Sequence, residues 1–214
     1  MSITTGEPDS VGRDVKRAAP PHAVVVAIGV SYDGVAALQR VLGPIRETLK
    51  AVVLVVRHTS PARPSLLSQV LGRVIKLPVK EPVTGEPLQA GVVYVAPAGL
   101  HLTVADGHAA LSAGPKVSFS RPSIDVLFDS VARVCGPRSV GVLLSGGGSD
   151  GAAGLAAIRR AGGATIVQDP AEALVPYMPK AALATDGHRV ALIDDIAEAI
   201  RLAVTEATTR NVGA

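Results

Sequence analysis

Ala23-Val24-Val25-Val26-Ala27-Ile28-Gly29-Val30-Ser31-Tyr32-Asp33-Gly34 opens as an unbroken apolar run and breaks at a glycine two residues before a serine. Val and Ile in such a run suit a strand buried on both faces, as in a parallel sheet. Val35-Ala36-Ala37-Leu38-Gln39-Arg40-Val41-Leu42 follows with apolar residues at helical spacing. Ser31 therefore falls in the turn between a strand's carboxyl end and a helix. Ligands and reacting groups of open α/β sheets gather at such ends. The helix start adds unpaired N–H donors and partial positive charge. A serine here is either a helix cap or a nucleophile, and this stretch alone favours the cap.

The rest of the chain repeats the alternation. Ala51-Val52-Val53-Leu54-Val55-Val56 is a second buried strand, ending at Arg57-His58-Thr59-Ser60-Pro61. Ser65 is placed to cap a short helix at Leu66–Leu71. Strand–helix–strand–helix order implies right-handed parallel crossovers. Short strands are predicted at Leu77–Lys80, Gly91–Ala96, His101–Val104 and Ala109–Ser112, with Asp106-Gly107 as a hairpin turn. Ser123 opens a helix to about Cys135, closed by Gly136-Pro137. Ser139–Leu144 is the next strand, followed by Ser145-Gly146-Gly147-Gly148-Ser149-Asp150-Gly151 and a helix from about Ala152. Strands at Ala164–Gln168 and Val190–Ile193 flank a helix that holds Pro179 in its first turn. Asp194 is placed to cap a closing helix over about Ile196–Thr208. The fold class is α/β: a three-layer, doubly wound, mostly parallel sheet with an antiparallel edge hairpin. Residues 1–21 are polar, with Gly and Pro, and read as a flexible tail before one domain over 22–211.

Composition narrows the function. Aromatics are only 2% of the 214 residues, so Val, Leu, Ile and Ala must build the core. The net charge of +3 is modest, and no basic run is interleaved with aromatics, which argues against a nucleic-acid partner. No apolar run approaches membrane-spanning length and no signal peptide is visible, so a cytoplasmic protein is expected. Cys135 is the only cysteine, in an apolar helical pattern that suits a buried small hydrophobe. His101, His108 and His188 lack metal-site spacing. No Lys follows Gly151, so the glycine run is not a P-loop.

Three polar residues stand just past strand ends: Ser31, His58 and Asp150. If their strands are neighbours, hydroxyl, imidazole and carboxylate converge for acyl transfer. Each has a plainer role: Ser31 and Asp150 as caps, His58 as a solvated loop residue. Asp125 and Asp129 lie on neighbouring turns of one helix, a pairing of carboxylates in which Asp129 reads as solvated.

Several segments in order then carry a family resemblance. They are Ile28–Gly34, Val55–His58, Tyr94-Val95-Ala96-Pro97-Ala98-Gly99-Leu100-His101, Arg121-Pro122-Ser123-Ile124-Asp125-Val126-Leu127-Phe128, Ser145–Gly151, Gln168-Asp169 and Met178-Pro179-Lys180-Ala181-Ala182. Together they resemble the catalytic domain of the chemotaxis protein-glutamate methylesterases (CheB type), from about Val24 to Ile196. The resemblance implies a seryl hydrolase that cleaves glutamate γ-methyl esters on chemoreceptor helices, in many members also a glutamine deamidase. It implies Ser31 as nucleophile, His58 as general base, Asp150 as the orienting carboxylate and the Gly147 N–H as oxyanion donor, with no cofactor and no metal. The implied partner is a methylated, chemoreceptor-like helical protein. The residues before Val24 are too few for the receiver domain common in that family, so either a stand-alone esterase or an excised domain is expected; only a complete chain would take phosphorylation control from a separate regulatory protein.

The motifs also depart from the family. Ser-Thr-Gly-Gly becomes Ser31-Tyr32-Asp33-Gly34, and Thr-Gly-Met-Gly becomes Ser145-Gly146-Gly147-Gly148. Met-Pro-Pro-Gly-Phe becomes Thr59-Ser60-Pro61-Ala62-Arg63. These changes surround the three chemical residues without replacing them. They keep two other readings open: a non-catalytic scaffold binding a helical partner through the same cleft, and an esterase for small non-protein esters.

Overall fold

A computed structural model describes residues 23–46, 48–59 and 65–210. The tail expected over 1–21 and most of the 59–63 departure lie outside the described residues. The main sheet has seven strands: β1 (Val24–Val30), β2 (Ala51–Arg57), β3 (Val79–Lys80), β4 (Val93–Val95), β7 (Ser139–Leu143), β8 (Ala164–Gln168) and β9 (Arg189–Ala191). Their order is β3-β4-β2-β1-β7-β8-β9, and all pairings are parallel.

The valine-rich strands form the middle of the sheet because helices cover both their faces. Along β1, Val24, Val26, Ile28 and Val30 pack on one side with α1 (Gly34–Leu42), α2 (Leu67–Leu71) and α6 (Ile196–Arg210). Val25 and Ala27 pack on the other with α3 (Ile124–Cys135), α4 (Ala152–Arg160) and α5 (Tyr177–Ala182). This period-two division explains why β1 and β2 read as continuous apolar runs. Each fully buried Val or Leu stabilises by about 1.5–3 kcal/mol relative to exposure.

Asp106-Gly107 does turn a hairpin, joining β5 (His101–Ala105) to β6 (His108–Ser112). It stands apart as a two-stranded sheet rather than extending the edge of the main one. Its apolar face, with Leu102, Val104 and Ala109, is buried in the same cluster as α3. The Val104 N–H reaches the Ser130 hydroxyl on that helix, 3.1 Å away. Packing on a helix thus replaces pairing to a strand.

Two cap expectations meet different outcomes. Asp194 does not cap α6; its carboxylate takes Arg40 Nε and Nη2 at 2.8 and 2.7 Å. Both side chains are exposed, so the pair contributes little stability. Ser65 does serve α2, its hydroxyl accepting the Leu67 N–H at 3.3 Å.

One close approach fixes α3 against the carboxyl end of β1. A Cβ built on Gly29 would lie 2.3 Å from Ile124 Cγ2, so only glycine lets the start of α3 touch the end of β1. Ile124 is β-branched and fully buried and has little room to yield. Gly29→Ala is expected to lower unfolding stability by about 1–3 kcal/mol. Urea denaturation should show this as a lower midpoint at unchanged slope.

Candidate active site

The sheet order reverses at β1, which has β2 on one side and β7 on the other. The crevice at such a switch point is where open α/β sheets place ligands. The loops leaving β1, β2 and β7 carry Ser31, His58 and Asp150. Adjacent parallel strands deliver all three to one rim.

Ser31 is not a cap. The residue before α1 is Asp33, in the left-handed region at φ 54°, and its side chain makes no cap bond. The Ser31 N–H donates to the Ser145 carbonyl at 3.0 Å, joining the β1 loop to the β7 loop. The His58 N–H donates to the Val30 carbonyl at 3.0 Å, extending the β1–β2 pairing past Val30–Arg57. Ser31 and His58 therefore begin their loops side by side.

The sequence leaves Asp150 either to cap the following helix or to orient a histidine. The residue before α4 is Gly151, at φ 97°. The Asp150 carboxylate turns instead to the start of α3. Oδ2 accepts from His58 Nε2 at 2.6 Å and from the Ile124 N–H at 2.8 Å. Oδ1 accepts from the Ser123 hydroxyl at 2.8 Å and the Asp125 N–H at 3.0 Å. Burial pushes this carboxyl upward, but His58, the two amides and the hydroxyl outweigh it and hold it below the ordinary carboxylate value. The positive end of α3 acts in the same direction. An ionised Asp150 accepts the hydrogen bond of Nε2–H, which assigns His58 the tautomer with Nδ1 bare. Among the described residues, no side-chain hydrogen bond joins Ser31 to His58.

Asp125 accepts the Gly154 N–H at 2.8 Å, so it caps α4 from the neighbouring helix. Burial, then the charge of Asp150, raise its carboxyl above the ordinary value. Asp129 lies on the exposed side, paired with Arg133 at 3.2 Å, as a solvated face should. Cys135 is buried and its thiol is pushed up to about 11, which makes it inert packing.

The glycine loop after β7 is held from below and free above. Ser145 N–H donates to the Gln168 carboxamide oxygen at 2.8 Å, Gly146 N–H to Val175 O at 2.9 Å, and Met178 N–H to Gly146 O at 2.9 Å. A Cβ on Gly146 would lie 2.1 Å from Met178 Sδ and 2.8 Å from Ser31 Cβ, so this position must be glycine. Gly147 is exposed, and among the described residues its N–H has no partner.

By sequence Ser123 only opens α3. It does accept the Val126 N–H, at 3.4 Å, but it also donates to Asp150. His101 is missing from the sequence-based site. Its Nδ1 accepts the Ser123 N–H at 3.2 Å, and its Nε2 donates to Pro115 O at 2.9 Å. The Arg-Pro-Ser-Ile-Asp motif is the available signal for this contact, but which carboxylate it holds depends on the crossing of α3 over β1.

A doubly wound sheet with hydroxyl, imidazole and carboxylate gathered at its switch point defines an α/β protein with a polar site in the crevice where such folds bind ligands. The model of the CheB methylesterase family matches residues 26–200, and the chain belongs to that family. A protein-glutamate methylesterase/protein-glutamine glutaminase of Symbiobacterium thermophilum is 42% identical over 184 residues, 85% of this chain and 51% of that protein. A putative protein of the same name from Leptospira interrogans is 36% identical over 175 residues, 81% of this chain and 91% of that one. The catalytic domain of Thermotoga maritima CheB methylesterase superposes with a TM-score of 0.78 at 28% identity, covering 84% of this chain and 98% of that one. The chain spans about half the length of the Symbiobacterium relative. Among the described residues, no helix is long and apolar enough to cross a membrane.

Proposed function

We propose that this chain is a serine carboxyl-esterase that hydrolyses glutamate γ-methyl esters on chemoreceptor-like proteins. The observation that carries the reading is the 2.6 Å contact of His58 Nε2 with buried Asp150, one loop from Ser31. Ser31 Oγ attacks the ester carbonyl while His58 Nδ1 takes its proton. The oxyanion forms against the Gly147 N–H, a donor type worth about 10²–10³ in rate. The proton passes to the departing methoxide, methanol leaves, and a glutamyl–Ser31 ester remains. Water, deprotonated by His58, then releases glutamate. With a glutamine side chain the same steps expel ammonia, which gives a deamidase. Residues 23–210 supply every group in this scheme, and it calls for no metal or organic cofactor.

His58 presents Nε2 to the carboxylate and keeps Nδ1 for the serine. That reverses the nitrogens of the serine-protease triad. The Ser31–His58 hydrogen bond is left to form with substrate, and catalytic hydrogen bonds are often loose before it binds. A cytoplasmic location and a helical receptor partner go with this reading.

The second reading is a scaffold that binds a helical partner without turnover. Tyr32, 57% exposed beside Ser31, favours it. Two measurements separate them. Wild-type protein is expected to release methanol from a methyl-labelled chemoreceptor cytoplasmic domain and to react with a fluorophosphonate at Ser31. His58→Ala should slow that labelling by at least tenfold. Tight receptor binding with neither methanol release nor labelling would establish the scaffold.

A further inference from the structure

Phe119 is 97% exposed, the most exposed of the large apolar side chains among the described residues. It sits in a two-residue turn closed by Val117 N–H to Ser120 O at 3.1 Å and Ser120 N–H to Val117 O at 2.9 Å. Ser118 and Phe119 have φ of 49° and 62°, the left-handed pair of a hairpin turn that Asn-Gly would occupy without strain. A bulky aromatic there is held in an unfavourable backbone region with its whole ring in water. Strain of this kind persists where function requires it.

The turn is fixed to the molecule. Arg121 Nη1 donates to the carbonyls of Ala113 and Gly114 at 2.9 and 2.8 Å. His101 holds Pro115 O from one nitrogen and the Ser123 N–H from the other. Ser123 donates to Asp150, and Asp150 accepts from His58. A continuous chain of hydrogen bonds thus runs from the Phe119 loop to the candidate general base. Phe119 is four residues from Ser123, so their Cα atoms lie within about 14 Å.

We infer that Phe119 is the anchor on which the protein substrate docks, inserting between apolar side chains of the helix that bears the reacting glutamate. The inference rests on the esterase reading and adds how the substrate is held. Charge favours this occupant: Lys116 and Arg121 flank the turn, and no acidic residue occurs between Asp106 and Asp125. A helix that carries ionised glutamates beside the reacting one complements that stretch. Exposed Tyr177 adjoins Met178, whose N–H meets Gly146 of the glycine loop, and gives the helix a second apolar contact.

Binding without turnover tests this. Ser31→Ala protein is titrated with a carboxyl-methylated chemoreceptor cytoplasmic domain, alone and combined with Phe119→Asn. The expected result is a Kd at least tenfold weaker with Phe119→Asn, as for an aromatic hot spot, and restored by Phe119→Trp. Val83→Asn, an exposed apolar residue elsewhere at 66%, should leave the Kd unchanged. Asn suits the left-handed position, so the melting temperature of Phe119→Asn should equal or exceed that of the parent, which separates docking from folding. An unchanged Kd, or no binding by Ser31→Ala alone, overturns the docking role. Absence of methanol release by wild type overturns the esterase reading instead, and the titration then judges Phe119 by itself.

Discussion

Ser31→Ala is expected to lower turnover of a glutamyl methyl ester by several powers of ten, about 10⁶ on the scale of serine proteases. The hydroxyl is the only side-chain group in the proposed scheme that bonds to the substrate carbon. Without it, water must attack directly, assisted by the Gly147 N–H and by positioning alone. A residual rate of about 10³–10⁴ over uncatalysed hydrolysis should persist. Adding His58→Ala should cost little more, because the members of a triad act as a unit and losing one costs about as much as losing all. Single-turnover methanol release from the single and double variants measures both points. Equal rates for wild type and Ser31→Ala would remove Ser31 from the mechanism. The variant should fold normally, since the fixed contact of Ser31 is its backbone N–H to Ser145 O.

Asp150→Asn is expected to lower kcat by about 10⁴, because an amide no longer fixes the His58 tautomer. It should also destabilise the fold, which Ser31→Ala should not. Asp150 accepts four hydrogen bonds: from His58 Nε2, the Ile124 and Asp125 amides and the Ser123 hydroxyl. An Asn amide turns one of its two oxygens into a donor. Each buried donor left facing it costs about 1–3 kcal/mol. The pH dependence has a definite sign. Asp150 sits below the ordinary carboxylate value in the folded chain, so the unfolded chain takes up its proton first as pH falls. Its contribution is full above the unfolded value of about 3.9 and is lost as pH drops through the lower folded one. Asp125 is shifted the other way, so its ionisation costs stability at neutral pH, and that cost fades as pH falls through its raised value. Wild type should therefore hold or gain slightly before losing stability below about pH 4. Asp150→Asn should begin less stable and lack most of that acid loss. Urea midpoints between neutral pH and pH 3 would show the difference; parallel curves would refute it.

The rim placement of Ser31, His58 and Asp150 is legible in the sequence because β1, β2 and β7 are apolar on both faces and stop at polar residues. A strand buried on both sides has little freedom in register, so its last residue points to a known edge. The family motifs add the roles. What each loop residue touches is not legible there. Asp150 follows β7 and precedes α4, and local chemistry alone makes it a cap of α4; the structure turns it to α3, which starts in a different part of the chain. Asp194 fails as a cap for the same reason, since Arg40, far off in sequence, offers two charged donors.

By itself the sequence determined the alternation of strands and helices, the parallel sheet and the three residues presented at its carboxyl edge, because burial patterning is local and periodic. Tertiary structure alone decided that the β5–β6 hairpin leaves the sheet to pack on α3. It alone decided that Ile124 fills the space over Gly29, and that His101 and Ser123 link the Phe119 turn to Asp150. Those contacts join residues distant along the chain, and the direction of a carboxylate or a ring is set by whichever donors packing brings to it.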